Sequence, residues 1–320
     1  MPRFSWLGLV SAPSFAPSAS TSLHSPAGAP LAAHLPLFSM FWQTSRFAID
    51  LARPQVMGIV NVTPDSFSDG GQHASTAAAL RHCEQLVKDG AHILDVGGES
   101  TRPGSPAVPL AEELARVLPV VQGAVSLGVP VSVDTYKPGV MQAVLDLGAD
   151  IVNDVWALRQ PGAAAVVASH PLCGVCLMHM HRDPQTMQVA PMAGDVVREV
   201  LSFLARAADG LQALGVARER IALDPGIGFG KTVEQNFALL ARQQELVATG
   251  HAVLAGWSRK SSLGAVTGLA VAGERMLPSV AAALLAVVNG ARIVRVHDVA
   301  ETVSALAVWQ AMEQQKQAQP

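Results

Sequence analysis

The residues able to do chemistry sit in short polar segments, each following an apolar or β-branched run. The first reads Asn61-Val62-Thr63-Pro64-Asp65-Ser66-Phe67-Ser68-Asp69-Gly70-Gly71, and the second Asp95-Val96-Gly97-Gly98-Glu99-Ser100-Thr101-Arg102-Pro103-Gly104. Asp134-Thr135, Asn153-Asp154, Asp224-Pro225-Gly226, Ser258-Arg259-Lys260-Ser261 and Arg295-Val296-His297-Asp298 follow in chain order. Carboxylate, amide and ammonium groups converging on one cavity suit a ligand with many hydrogen-bonding edges. Arg295 and His297 are two residues apart, so on a strand they face one side, and a guanidinium donates paired bonds to phosphate oxygens. Together these predict a phosphorylated heteroaromatic substrate. A single Asp or Asn at a strand end could equally cap a helix. Asp or Asn at four strand ends at once makes capping alone a poor account.

Other motifs carry less. Residues Gly226-Ile227-Gly228-Phe229-Gly230-Lys231-Thr232 have a P-loop flavour, but Pro225 stands where the first glycine belongs. Such a turn better serves a backbone that must come close to a flat ring. Cys173-Gly174-Val175-Cys176 has CxxC spacing without a second pair, and strand alternation would splay the thiols. His179-Met180-His181, placed on the fifth strand, lacks a matching HxH on the first, which leaves metal-dependent hydrolysis a weak alternative.

The elements that must position these groups alternate. Strand candidates fall at 56–62, 92–96, 131–134, 151–155, 175–178, 221–223, 252–255 and 292–296, with amphipathic stretches such as 77–88, 112–126, 196–214 and 299–312 between them. Eight alternating units predict an α/β fold, a single (β/α)8 TIM barrel over residues 55–312, in which chemistry comes from the C-terminal strand ends. A doubly wound open sheet is the rival, although it would usually show fewer strands and a Gly-rich first turn.

Composition narrows the class further. The chain has 320 residues, 22 basic against 25 acidic side chains and a net charge of −3, with no basic run to grip nucleic acid. Three cysteines do not make a disulfide framework, which predicts a reducing, cytoplasmic setting. The apolar stretch 281–290 is too short to span a bilayer and is expected as a buried barrel helix. Residues 1–39 are rich in Ser, Ala and Pro and contain Arg3 but no Lys, Asp or Glu, so a disordered extension is expected, with Met40 the expected start of translation. Residues 40–54 form a lead-in and 313–320 a polar tail.

In family order, Met57 to Gly71, Asp95 to Gly104, Ser132 to Thr135, Asp224 to Lys231, Ser258 to Ser261 and Arg295 to Asp298 resemble the dihydropteroate synthases. The resemblance spans nearly all of 55–312. It implies condensation of a 7,8-dihydropterin 6-methylene diphosphate with 4-aminobenzoate, releasing diphosphate, with Mg2+ assisting and a homodimer as the assembly. It also implies the roles. Asn61 would hold Mg2+, and Arg295, Val296 and His297 the diphosphate. Asn153, Asp224 and Lys260 would read the pterin over Phe229, and Asp134 would favour a cationic intermediate. Thr101, Arg102, Pro103, Phe67 and Ser261 would frame the aminobenzoate. Asp134, Lys260, Arg295 and His297 are thus the catalytic candidates. Two residues depart from the pattern: Tyr136 is expected to alter loop packing at the rim, and Trp257 to narrow the pocket for aminobenzoate or sulfonamide analogues. A pterin-dependent methyltransferase on a similar barrel would need no diphosphate site, and a non-catalytic paralogue would have no reason to keep both long motifs.

Overall fold

Eight of the apolar runs form parallel strands whose hydrogen bonds close into a ring. The computed structural model describes residues 41–63, 71–101, 105–182 and 192–318. Expectations for residues 1–39, Phe67, Arg102 and Pro103 lie outside them. The barrel strands are β3 (Gln55–Asn61), β4 (Ile93–Gly97), β5 (Val131–Asp134), β6 (Ile151–Asp154), β7 (Gly174–Met178), β8 (Ile221–Asp224), β9 (Ala252–Ala255) and β10 (Ile293–Val296). Each pairs with its neighbour in sequence, and β10 returns to β3. Closure rules out the open sheet, and every strand lies within a residue of its expected limits.

Alternation decides what each strand shows to the inside. Met57, Ile93, Ile151, Cys176, Ala222, Leu254 and Ile293 form one apolar cluster within the ring. Two residues further along the same strands stand Asp95, Asn153, Asp224 and Arg295, on the same face. Residues of the opposite parity, such as Val56, Val60, Leu94, Val133, Val294 and Val296, pack outward against helices. Register sets Asp134 opposite Asn153 and Asp95 opposite Ser132.

The surrounding helices are α1 (Gly71–Lys88), α2 (Leu110–Ala124), α3 (Pro138–Asp146), α4 (Ala163–Ser169), α5 (Val196–Ala213), α6 (Val233–Ala241), α7 (Gln243–Val247), α8 (Ser261–Thr267), α9 (Met276–Val288) and α10 (Val299–Gln317). Helix α10 runs past the expected 312, through strong helix formers and a Lys316–Glu313 pair. Helix α9 corrects the expectation of a buried helix. Ala282, Ala283, Ala286 and Val287 are buried, but Leu285 is 52% exposed and Val288 54%.

The lead-in folds into an antiparallel hairpin, β1 (Phe41–Gln43) and β2 (Ala48–Asp50), which no sequence periodicity announced. Its Trp42, Ile49 and Leu51 join the apolar cluster inside the ring and plug its N-terminal end. The plug is tied down at Asp150, which is wholly buried. Its carboxylate accepts from Arg46 Nη2 at 2.6 Å, Arg46 Nε at 3.0 Å and the Val131 amide at 2.8 Å.

Candidate active site

With the foot of the barrel plugged, the polar layer faces the mouth at the strands' C-terminal ends. Arg295 on β10 donates from Nε to Asp95 Oδ2 at 2.6 Å and from Nη2 to Asp134 Oδ2 at 2.8 Å. Asn153 on β6 donates from Nδ2 to the same Asp95 oxygen at 3.2 Å. One hydrogen-bonded unit therefore joins β4, β5, β6 and β10. Burial opposes the Arg295 charge, but Asp95 and Asp134 outweigh it and hold its pKa above the usual arginine value. Burial raises the Asp134 pKa to about 7; Arg295 pulls it down, while Asp95, Glu113 and Asp154 push it up.

Asp224 ends β8 with 6% exposure, and its Oδ1 accepts from the Gly226 amide at 2.7 Å. Burial raises its pKa, opposed by that amide and by Lys260, Lys231 and Arg295. The turn after β8 follows from its glycines. Gly226 has a φ of +69°, and a Cβ there would collide with the His179 carbonyl. Lys231 clamps this turn: its buried ammonium donates to Gly226 O at 2.8 Å, Phe229 O at 3.1 Å and His179 O at 3.2 Å. Burial brings the Lys231 pKa down to about 7, with Asp224 pulling the other way. Phe229 is thereby held among Val155, Met178 and Met180, and the Lys260 ammonium lies 4.2 Å from its ring centre. An apolar floor with a cation and carboxylates around its edge suits a flat heteroaromatic ligand.

His297 directly follows β10. Its backbone N–H donates to Ser258 Oγ at 3.1 Å, and Ser258 Oγ lies 2.9 Å from His297 Nδ1. Asp298 occupies the N-cap position of α10 but makes no side-chain cap bond; its carboxylate pairs with Arg259 at 2.6 Å.

The pterin-binding enzyme family matches residues 57–297. The dihydropteroate synthase of Neisseria meningitidis serogroup B is 52% identical over 277 residues, 85% of this chain and 97% of that protein. The chain belongs to the dihydropteroate synthase family. Solved members of the family share its fold. The Burkholderia cenocepacia enzyme complexed with 7,8-dihydropteroate gives a TM-score of 0.81 at 51% identity, covering 87% of this chain and 98% of that one. The Xanthomonas albilineans enzyme with 4-aminobenzoic acid gives 0.78 at 51% identity, covering 83% and 95%.

Within this member of the family, Asn61, Asp134, Asn153, Asp224, Lys260, Arg295 and His297 all lie at the C-terminal end of the barrel or in the turns that leave it. Thr101 is half-buried after β4, and Ser261 is exposed as the first residue of α8. Val296 turns its side chain into the outer apolar layer, so only its main chain is available to a ligand. Trp257 corrects an expectation: its indole is 1% exposed and packs against Phe237 at 5.2 Å, so it does not narrow the mouth. Tyr136 does shape the rim, stacking on Trp156 at 5.6 Å and donating to Glu99 Oε1 at 2.8 Å. His179 and His181 follow the end of β7 rather than lying on it. Burial drives the His179 pKa down to about 2, so its ring is neutral. Cys173 and Cys176 are free and lie in separate apolar clusters on the two sides of the strand layer. Asp95, Ser258 and Lys231 went unassigned by sequence reasoning. Only Asp95 had a usable signal, an acid at an inward parity within a long motif.

Proposed function

We propose that this chain condenses a 7,8-dihydropterin 6-methylene diphosphate with 4-aminobenzoate, giving 7,8-dihydropteroate and diphosphate. The observation that carries the reading is the mouth itself, where the Lys260 ammonium lies over the Phe229 ring, Asp224 feels the charges of Lys260 and Arg295, and Asn153 shares the Asp95 carboxylate with the Arg295 guanidinium. Asp224 accepts from the amino-pyrimidine edge of the pterin, Asn153 from a second ring donor, and Lys260 donates to the carbonyl or ring-nitrogen side. Arg295 and His297 stabilise charge on the diphosphate as the carbon–oxygen bond to the methylene breaks. Asp134, close to the ring, favours the cation left behind. The arylamine attacks as a neutral nucleophile and loses its proton afterwards, so no strong general base is required. Thr101, Arg102, Phe67, Pro103 and Ser261 complete the aminobenzoate pocket, and Val296 offers its main chain to the diphosphate.

Mg2+ belongs to this reading. Asn61 ends β3 half-buried, and its amide oxygen is a hard ligand of the right type. Among the described residues no group of three His, Cys, Asp or Glu could hold a metal. That fits an ion which keeps most of its waters and relies on substrate phosphates. When bound, Mg2+ would neutralise diphosphate charge. A homodimer is supported by α9 and α10, neighbouring helices that expose Leu277, Leu285, Val288, Val308 and Met312. Three buried free thiols support a cytoplasmic setting. Among the described residues, no single helix is long and apolar enough to cross a membrane.

The test is an assay for dihydropteroate and diphosphate formation, with both substrates, with and without Mg2+. Turnover that needs both substrates and responds to the metal is expected. A folded sample that leaves 4-aminobenzoate unconsumed would refute the reading.

A further inference from the structure

We infer that Asp95 is a positioning residue that yokes the pterin-reading amide of Asn153 to the leaving-group guanidinium of Arg295. The inference rests on the proposed synthase reading and assigns a residue which that reading leaves without a role.

Asp95 lies inside the barrel on β4, two residues above the apolar Ile93, and is 0% exposed. With no surface open to a ligand, it acts through its partners. Its Oδ2 receives two donors at once, Arg295 Nε at 2.6 Å and Asn153 Nδ2 at 3.2 Å. Each contact fixes a choice the partner would otherwise have. An Asn side chain can present either its oxygen or its NH2 group to a ligand, because the amide can flip about its last torsion. A carboxylate oxygen beside it accepts only, so the NH2 end is held against Asp95 and Oδ1 is left for a pterin donor. A guanidinium can likewise rotate in and out of plane. Here Nε is tied to Asp95 and Nη2 to Asp134, two carboxylates from adjacent strands, which fixes the plane from one side.

The two partners come from β6 and β10, which are not neighbours in the ring. Asp95 bridges them across the interior of the barrel. The other Asp95 oxygen, Oδ1, is buried and has no partner among the described residues, so the charge is held for the sake of the two donors on Oδ2. A buried carboxylate kept at such cost points to geometry as its purpose, since apolar packing would stabilise the fold at least as well.

The test is a pair of double-mutant cycles on the full chain. In the first, Asp95→Ala and Asn153→Ala are combined, and calorimetry reads the affinity for 6-hydroxymethyl-7,8-dihydropterin, which lacks the diphosphate. Asp95→Ala is expected to cost about tenfold or more alone and less than about twofold when Asn153 is already Ala. In the second, Asp95→Ala and Arg295→Ala are combined, and kcat is read with both substrates saturating. The same collapse of the Asp95 effect is expected. An effect of Asp95 that does not pass through Asn153 or Arg295 would add to theirs, so additivity in either cycle overturns the inference. If Asp95→Ala does not fold, Asp95→Ser keeps a polar group too short to reach both donors and carries the same cycles with the same criterion. A wild-type protein that neither binds the dihydropterin nor turns over would refute the synthase reading and the inference with it. Wild-type binding and turnover with additive cycles would refute the inference alone.

Discussion

Asp134 joins stability to chemistry in a way one substitution can expose. Burial raises its carboxyl from 3.8 to about 7, even with Arg295 2.8 Å away. Between those limits the folded state holds a proton that the unfolded chain has released. The stabilising effect is therefore complete below 3.8 and is lost as pH rises through about 7. Across that window the change is worth about 4 kcal/mol, and the attraction of Arg295 is already inside the figure. Asp134→Asn removes the titration. It also places an NH2 group beside Arg295, at a cost of about 1–2 kcal/mol. The ligand-free variant should then be slightly less stable than wild type near pH 4, and more stable by about 2–3 kcal/mol near pH 8. Urea unfolding followed by tryptophan fluorescence across that range would measure both curves. Turnover should fall about a hundredfold, because the charge that favours the cation is gone. Two stability curves that stay parallel from acid to alkaline pH would show that Asp134 does not titrate there, and the electrostatic account of the mouth would fail with it.

Other perturbations separate the parts of the site. Asp224→Asn turns half of an acceptor pair into a donor, and calorimetry should show the affinity for a plain dihydropterin falling by about a hundredfold or more; unchanged affinity would remove Asp224 from the pterin edge. Arg295→Ala should weaken the diphosphate-bearing substrate about a hundredfold while costing the plain pterin much less; equal losses would contradict its assignment to the leaving group. Gly226→Ala forces a Cβ against the His179 carbonyl at a positive φ, and chemical denaturation should show a loss on the order of 3 kcal/mol.

What the sequence revealed follows from where each signal is local. The β-branched runs and their polar ends are local, so eight strands and seven mouth residues could be placed without coordinates. The hairpin at residues 41–50 has strands of only three residues each, too short for a period to show, and Trp42 found its partners only once the ring had closed. Asp95 and Arg295 are 200 residues apart, and nothing in either segment announces that they share a hydrogen bond. The outward turn of Trp257 depends on Phe237 in α6, a contact between elements, so bulk alone misled. Helix α9 misled for the opposite reason. Its composition is apolar on all sides, and only the packed structure tells which side meets the barrel.

The Trp42 stopper and its Arg46–Asp150 tie lie at the end of the barrel away from every described residue assigned to substrate. Durability and selectivity are thus lodged at opposite poles. Changes around the foot would move the melting temperature while leaving ligand preference alone, and changes at the rim are free to retune what enters as long as the foot holds. A lineage under drug pressure could spend stability at one pole and recover it at the other without touching the same side chains.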